Sequence, residues 1–241
     1  MTISFTFPGQ GSQFVGMGRE FVETFSAARQ VFEEVDEALQ EKFSQIILEG
    51  PQDALTLTEN AQPALMAMSM AIVRTIEAEL GKPLPSLCSY LAGHSLGEYT
   101  ALCATGVFSL SDTARLLRLR GQAMQQAVPV GLGAMAAILG LEATEVEALA
   151  SDAALGDVCV VANDNSPGQI VLSGHKGAID RAISLAPERG AKRAIPLAVS
   201  APFHCSLMKP AAEAMAIAIK DIPMGDALKP IMSNVTAMPA K

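Results

Sequence analysis

The sequence predicts a mixed α/β protein in two parts, a larger one interrupted by a smaller ferredoxin-like one, and three observations carry that prediction. Strand-like and helix-like segments alternate through the first half, where a serine joins a short apolar run to a helical run in Gly93-His94-Ser95-Leu96-Gly97. From Gly133 onward the segments follow the order βαββαβ, that of a ferredoxin-like unit. After Pro202 the chain reads again as helix and then strand, so it returns to the first part. The boundaries fall near Pro129-Val130-Gly131 and Ser200-Ala201-Pro202. They give a discontinuous larger subdomain of residues 1–129 and 200–241 and a smaller one of residues 130–199.

Taken in order, Ile3 to Phe7 alternates apolar and polar residues and stops at Pro8-Gly9, the pattern of a strand entering a loop. Two helices follow, the second beginning at Ser26. A long helix then has Asn60 as its N-cap, Pro63 in its first turn and Gly81 just past its end, the order that cap chemistry prefers. Leu87 to Ala92 suits a buried strand, and the helix after Ser95 ends near Gly106. Ser111 to about Ala127 reads as a further helix. In the inserted part, strands are expected at Ala134–Leu139, Val158–Ala162, Ile170–Ser173 and Ala194–Val199, with helices at Ala143–Ala150 and Ala178–Glu188. Asn163 to Gly168 reads as the loop between the central strands. Ser206–Ile219 reads as a helix and Pro230–Asn234 as a strand.

Composition narrows the class. The chain has 241 residues, half of them hydrophobic, enough to bury a large core. No uninterrupted apolar run reaches the roughly 18 residues of a membrane span, and Met1-Thr2-Ile3-Ser4 lacks a basic leader, so the expected place is the cytoplasm. The net charge of -8 argues against nucleic acid as a partner. An anionic partner then needs a local basic patch, for which Lys192, Arg193 and Lys209 are candidates. Cys88, Cys103, Cys159 and Cys205 are widely spaced and signal neither a metal site nor a disulfide framework.

Three motifs carry chemistry. A GxSxG turn between a strand and a helix is a nucleophile elbow, in which flanking glycines permit a sharp turn and the helix aims unpaired N–H groups at the serine. A structural serine in a glycine-rich turn is the bland alternative. Serine needs a base. His94 adjoins Ser95 too closely to align with it, and His175 opens a surface helix. That leaves His204, in SAPFHC at the return to the larger part. No acid for it is evident, since Glu98 is explained by the helix dipole and Asp221 and Asp226 have polar surroundings.

The second motif is LLRLRGQAM, in which Arg120 has only Leu116, Leu117, Ala123 and Met124 at helical spacing, whereas Arg115 and Arg118 share a polar, solvated face. A guanidinium on the buried side needs an anion, either an internal Asp or Glu or a carboxylate on the substrate. The third is FPGQGSQ. Its Phe14 breaks the dinucleotide fingerprint, and such a loop can instead bring a backbone N–H to a reacting carbonyl.

Together FPGQGSQ at 7–13, NAQPAL at 60–65, GHSLGEYTAL at 93–102, LRGQAMQ at 119–125, NDNSPGQIVLSG at 163–174 and SAPFHC at 200–205 resemble the malonyl-CoA:acyl carrier protein transacylases, in the family's order and over nearly the whole chain. The resemblance implies a hydrolase-like α/β larger subdomain with the ferredoxin-like smaller one inserted. It implies Ser95 as the acylated nucleophile, His204 as its general base and Arg120 as the clamp for the malonyl carboxylate. Gln10 and Leu96 would offer backbone N–H groups to the oxyanion, with Gln62 and Asn163 supporting the site.

The activity so implied moves a malonyl group from CoA to the phosphopantetheine thiol of acyl carrier protein by a ping-pong route through a malonyl-serine ester, for fatty acid or polyketide synthesis. Malonyl-CoA and acyl carrier protein are the partners, with no nucleic acid or membrane, no metal and no cofactor beyond the CoA thioester itself, in a monomer. Members usually continue beyond NVTA through a segment that contributes a glutamine or carbonyl holding the catalytic histidine, so either that segment lies outside these 241 residues or His204 lacks its support. The rivals are a serine esterase or thioesterase, which would need a carboxylate for His204 and has no use for a buried Arg120, and a carrier-protein-binding scaffold with a dead site. The presence of Ser95, His204 and Arg120 together speaks against the scaffold.

Overall fold

The computed structural model describes residues 3–199 and 201–240, so Met1, Thr2, the expected boundary residue Ser200 and Lys241 lie outside the description. The chain divides into two compact units, Met1–Gly121 with Ile217–Lys241, and Gln122–Ala216. In chain order the elements are β1 (Ser4–Phe7), α1 (Arg19–Thr24), α2 (Ser26–Leu39), α3 (Phe43–Glu49), α4 (Gln52–Thr56), α5 (Thr58–Leu80), α6 (Leu84–Leu87), β2 (Tyr90–Gly93), α7 (Leu96–Ala104) and α8 (Leu110–Ala127). They continue with β3 (Gly133–Leu139), α9 (Ala143–Ala154), β4 (Cys159–Ser166), β5 (Gln169–His175), α10 (Lys176–Leu185), β6 (Arg193–Pro196), α11 (Lys209–Lys220), β7 (Ile231–Met232) and β8 (Pro239–Ala240). The class is the expected mixed α/β one.

The first unit is helical around a small sheet of order β1-β2-β7-β8. β1, β2 and β7 run parallel, with Phe7 opposite Gly93 and Leu91 opposite Ile231. A parallel pair needs a crossover, and here helices α1 to α6 supply it. β1 alternates as read, with Ser4 and Thr6 exposed and Phe7 buried. On α2 the buried residues are Ala28, Val31, Phe32, Val35 and Ala38, one face at helical spacing. α5 is buried on nearly all sides, which marks the central helix. Met66, Leu91, Leu96 and Leu117 are each fully buried in this core, worth about 2 kcal/mol apiece.

Two expectations need correction here. Asn60 is not the N-cap of α5. The helix starts three residues earlier, at Thr58 with Leu57 in the cap position, and the Asn60 side chain donates to the Ala54 carbonyl at 2.8 Å. Nor is Leu87–Ala92 one strand, because Pro83 and Pro85 set up the short helix α6 and β2 begins only at Tyr90.

The second unit is an antiparallel sheet of order β4-β5-β3-β6 with α9 and α10, the ferredoxin-like arrangement. Its central strands β3 and β5 bury both faces, which is why they read as continuous apolar runs. Ala136, Ile138, Ile170 and Leu172 face Val146, Leu149 and Ile179 of the helices. Met135, Ala137 and Val171 face the other way, against Met124, Val128, Ala201, Phe203 and Met208. The compact unit therefore takes in residues beyond the strand-and-helix insert itself. The expected loop 163–168 is shorter than read. β4 continues to Ser166 through two register irregularities, and only Pro167 and Gly168 turn the hairpin, Gly168 with φ 74°.

Candidate active site

Ser95 stands between the end of β2 and the start of α7 with φ 54° and ψ -107°. This is a conformation that a residue with a Cβ occupies only at a cost of about 1–3 kcal/mol. The flanking glycines were expected to supply the freedom for the turn, but the serine itself takes the left-handed backbone. The glycines answer a different need, close approach. A Cβ on Gly93 would lie 1.9 Å from the Gly97 carbonyl carbon, and one on Gly97 would lie 2.5 Å from the Phe7 carbonyl oxygen. A Cβ on Gly9 would meet His94 Nδ1 at 2.4 Å, so the 7–13 loop is laid directly against the elbow. His94 itself is exposed, and its backbone N–H donates to the Phe7 carbonyl at 3.0 Å.

The first bonds of the elbow helix run from Gly97 N–H to the His94 carbonyl and from Glu98 N–H to the Ser95 carbonyl. The backbone N–H groups of Leu96 and Gln10 engage no acceptor among the described residues. The Gln10 side chain donates to Thr58 Oγ1 at 3.2 Å, which ties its loop to α5.

Arg120 reaches the elbow from α8. That helix crosses α5 so tightly that a Cβ on Gly121 would lie 2.4 Å from Glu59 Cα. The crossing sets Arg120 beside Gln62, one turn along α5. Arg120 Nη1 donates to Gln62 Oε1 at 2.7 Å and Nη2 to Ser95 Oγ at 3.2 Å, and the guanidinium carbon lies 5.6 Å from the centre of the Tyr99 ring. Burial pulls the Arg120 proton affinity below its ordinary value, opposed by Tyr99 and Glu98, and burial likewise pushes the Tyr99 hydroxyl up. A guanidinium remains charged at neutral pH regardless. Among the described residues no carboxylate lies within ion-pair distance of Arg120, so the internal salt bridge left open by the pattern is not formed there.

Arg118 departs from the expected solvated face. Its side chain is 17% exposed, it pairs with Glu41 and donates to Asn60 Oδ1, and it stacks 4.9 Å over the Phe43 ring. Arg115 is solvated as read, at 56% exposure. The corner of chain around residues 41–43 covers one of the two arginines and not the other, which helical spacing cannot reveal.

One residue at the elbow was missed. Asn234 follows β7, and its Oδ1 accepts the Ser95 N–H at 2.8 Å while its Nδ2 donates to the Gly93 carbonyl at 2.7 Å. Its own backbone N–H donates to Glu98 Oε2 at 3.2 Å. The signal was the parallel pairing itself, because Leu91 opposite Ile231 and Ala92 opposite Met232 carry residue 234 alongside residue 94.

The other expected site residues belong to the second unit. His204 also has a left-handed backbone, with φ 59°, and follows the buried Phe203, while the Cys205 thiol donates to the Pro202 carbonyl at 3.1 Å. A Cβ on Gly133 would lie 2.3 Å from Pro202, so this segment lies hard against the start of β3. Asn163 sits in β4 opposite Val171, at a shift of register. His175 is structural. Its Nδ1 accepts the Val158 N–H at 2.9 Å. Ser95, Arg120, Gln62, Gln10 and Leu96 are thus gathered in the first unit, and His204 and Asn163 lie in the second. The buried thiols of Cys103 and Cys159 are pushed up to about 11, far from the reactive range.

Residues 4–240 match the acyl transferase domain family. The chain is similar to the malonyl CoA-acyl carrier protein transacylase of Bacillus subtilis (strain 168), 48% identical over 236 residues, which are 98% of this chain and 73% of that one. It is 43% identical to the enzyme of the same name from Escherichia coli (strain K12) over 232 residues, 96% of this chain and 74% of that one. Among solved structures, the acyl-carrier-protein-S-malonyltransferase from Bartonella henselae is 55% identical with a TM-score of 0.96, over 100% of this chain and 76% of that one. A malonyl-transacylase solved in complex with a type II PKS acyl-carrier protein is 41% identical with a TM-score of 0.94, over 100% of this chain and 77% of that one.

Proposed function

We propose, from the premise that this chain belongs to the acyl transferase domain family and within it to the malonyl CoA-acyl carrier protein transacylases, that Ser95 carries the malonyl group between two thiols. The protein moves malonyl from CoA to acyl carrier protein. In the first half-reaction, His204 takes the Ser95 hydroxyl proton as Oγ adds to the thioester carbonyl. The N–H groups of Gln10 and Leu96 receive the oxyanion. Collapse breaks the carbon–sulfur bond, and CoA leaves as a thiol with the proton that His204 held. In the second, the phosphopantetheine thiol gives its proton to His204 and attacks the serine ester, and Ser95 regains a proton as it departs.

Arg120 receives the malonyl carboxylate as a bidentate partner, Gln62 holds its other edge, and Asn163 has a supporting role. The catalytic subdomain in this reading is residues 1–129 and 200–241, with the insert 130–199 as the smaller one. The reaction runs in the cytoplasm on a monomer, with the CoA thioester as substrate and no bound cofactor. Lys192, Arg193 and Lys209 are exposed, as docking of an anionic carrier protein requires.

The observation that carries this reading is the position of Arg120, a buried guanidinium with no carboxylate at ion-pair distance among the described residues, whose Nη2 reaches Ser95 Oγ. Intact mass after incubation with labelled malonyl-CoA tests it. The protein should gain one malonyl group, and Ser95→Ala should gain none while keeping its fold. Release of free malonate without an adduct would favour a thioesterase, and an adduct on Ser95→Ala would move the nucleophile elsewhere.

A further inference from the structure

The geometry points to Asn234 as the positioning residue that holds the nucleophile elbow in its strained form and decides which backbone N–H groups face the reacting carbonyl. This rests on Ser95 being the nucleophile. One side chain spans the turn, with Nδ2 on the Gly93 carbonyl at 2.7 Å and Oδ1 on the Ser95 N–H at 2.8 Å. An amide bonded in this way to both sides of His94 satisfies the two backbone groups that the turn takes out of strand and helix. The backbone N–H of Asn234 bonds Glu98 Oε2 at 3.2 Å, so the end of β2, the serine and the first turn of α7 are all tied to the chain leaving β7.

Two consequences follow for the reaction. The Ser95 N–H, occupied by Oδ1, is withdrawn from the oxyanion, and the donors left for it are Leu96 and Gln10. Without the amide, the turn loses the two hydrogen bonds by which Asn234 holds Ser95 at φ 54°, and relaxation turns Oγ and the Leu96 N–H together.

The test compares Asn234→Ala, Asn234→Asp and Ser95→Ala by malonyl-CoA burst kinetics, intact mass and melting. Asn234→Ala should load malonate at Ser95 to full stoichiometry but about 10- to 100-fold more slowly, with KM for malonyl-CoA changed less than about twofold, because displaced reacting groups cost rate more than binding. Asn234→Asp keeps an acceptor for the Ser95 N–H. When protonated it also regains a donor for the Gly93 carbonyl. Its rate relative to the parent should therefore climb as pH falls, against the neighbouring Glu98 carboxylate, the nearest charged group on α7. A purely structural role would lower the fraction of sites that load and the melting temperature without a slower rate per loaded site. That result, or an Asn234→Ala as fast as the parent, overturns the inference. An adduct on Ser95→Ala instead overturns the assignment of the nucleophile, whatever Asn234 does.

Discussion

Arg120 is held by groups that orient it without neutralising it. Gln62 takes one edge, Tyr99 lies under its face, and its Nη2 reaches Ser95 Oγ. A malonyl group supplies the missing carboxylate and an acetyl group does not. With acetyl-CoA the guanidinium stays unpaired at a cost of about 1–3 kcal/mol, roughly tenfold to hundredfold in discrimination. Arg120→Ala should therefore lose malonyl transfer while acetyl transfer is retained or rises, and Arg120→Lys, which keeps the charge but not the fork, should fall between. The measurement is kcat/KM for both thioesters in each protein, and an unchanged ratio sinks the idea. At this scale Ser95 and Arg120 were legible because each announces itself locally, one by a motif and the other by a charge among apolar neighbours. Asn234 was not, since its value comes from two strands paired across 140 residues of chain, a count set by Leu91 and Ile231. Nor was the backbone strain legible, because the glycines around Ser95 advertise freedom at positions where the structure uses them for closeness.

At the scale of elements, the crossing of α8 over α5 fixes the distance from Arg120 to the elbow. It depends on Gly121, which lies against the backbone of Glu59. Gly121→Ala has to push two helices apart, an overpacking of about 1–3 kcal/mol or more. In a chain of this size that lowers the melting temperature by about 2–12 °C. Because Arg120 and Gln62 sit beside the crossing, malonyl transfer should fall further than the loss of folded protein explains. A thermal melt with an activity assay at a temperature where both proteins are folded checks both halves, and an unshifted melt would mean that the crossing is looser than drawn. Periodicity found β1, α2 and the βαββαβ order, since long or alternating patterns survive any tertiary context. It missed α3 and α4, of seven and five residues, which are too short to show a period. It misplaced the start of α5 because Asn60 favours caps in general, whereas here its amide serves the Ala54 carbonyl and Arg118.

At the scale of the whole molecule, stability couples to pH through a buried thiol. Cys103 is held protonated to about 11 by burial, against an ordinary 9.0. Its folded value is raised, so its contribution is fully present below pH 9 and is lost as pH rises through 11. The loss is about 2–3 kcal/mol. Urea midpoints should drop across that window, and Cys103→Ala should flatten the drop. An identical slope in both proteins would assign it to other groups. The left-handed serine bears on the whole fold too. Ser95→Gly and Ser95→Ala remove the same hydroxyl, but only glycine accepts φ 54° and ψ -107° without a steric penalty. The glycine variant should melt higher than the alanine variant, by differential scanning calorimetry, and equal melts would deny that the turn is strained. Folding and turnover thus pull this position toward different amino acids. A library of this chain sorted for heat resistance alone would enrich clones that have stopped making thioesters, so any evolution of it toward robustness needs an activity gate at every round.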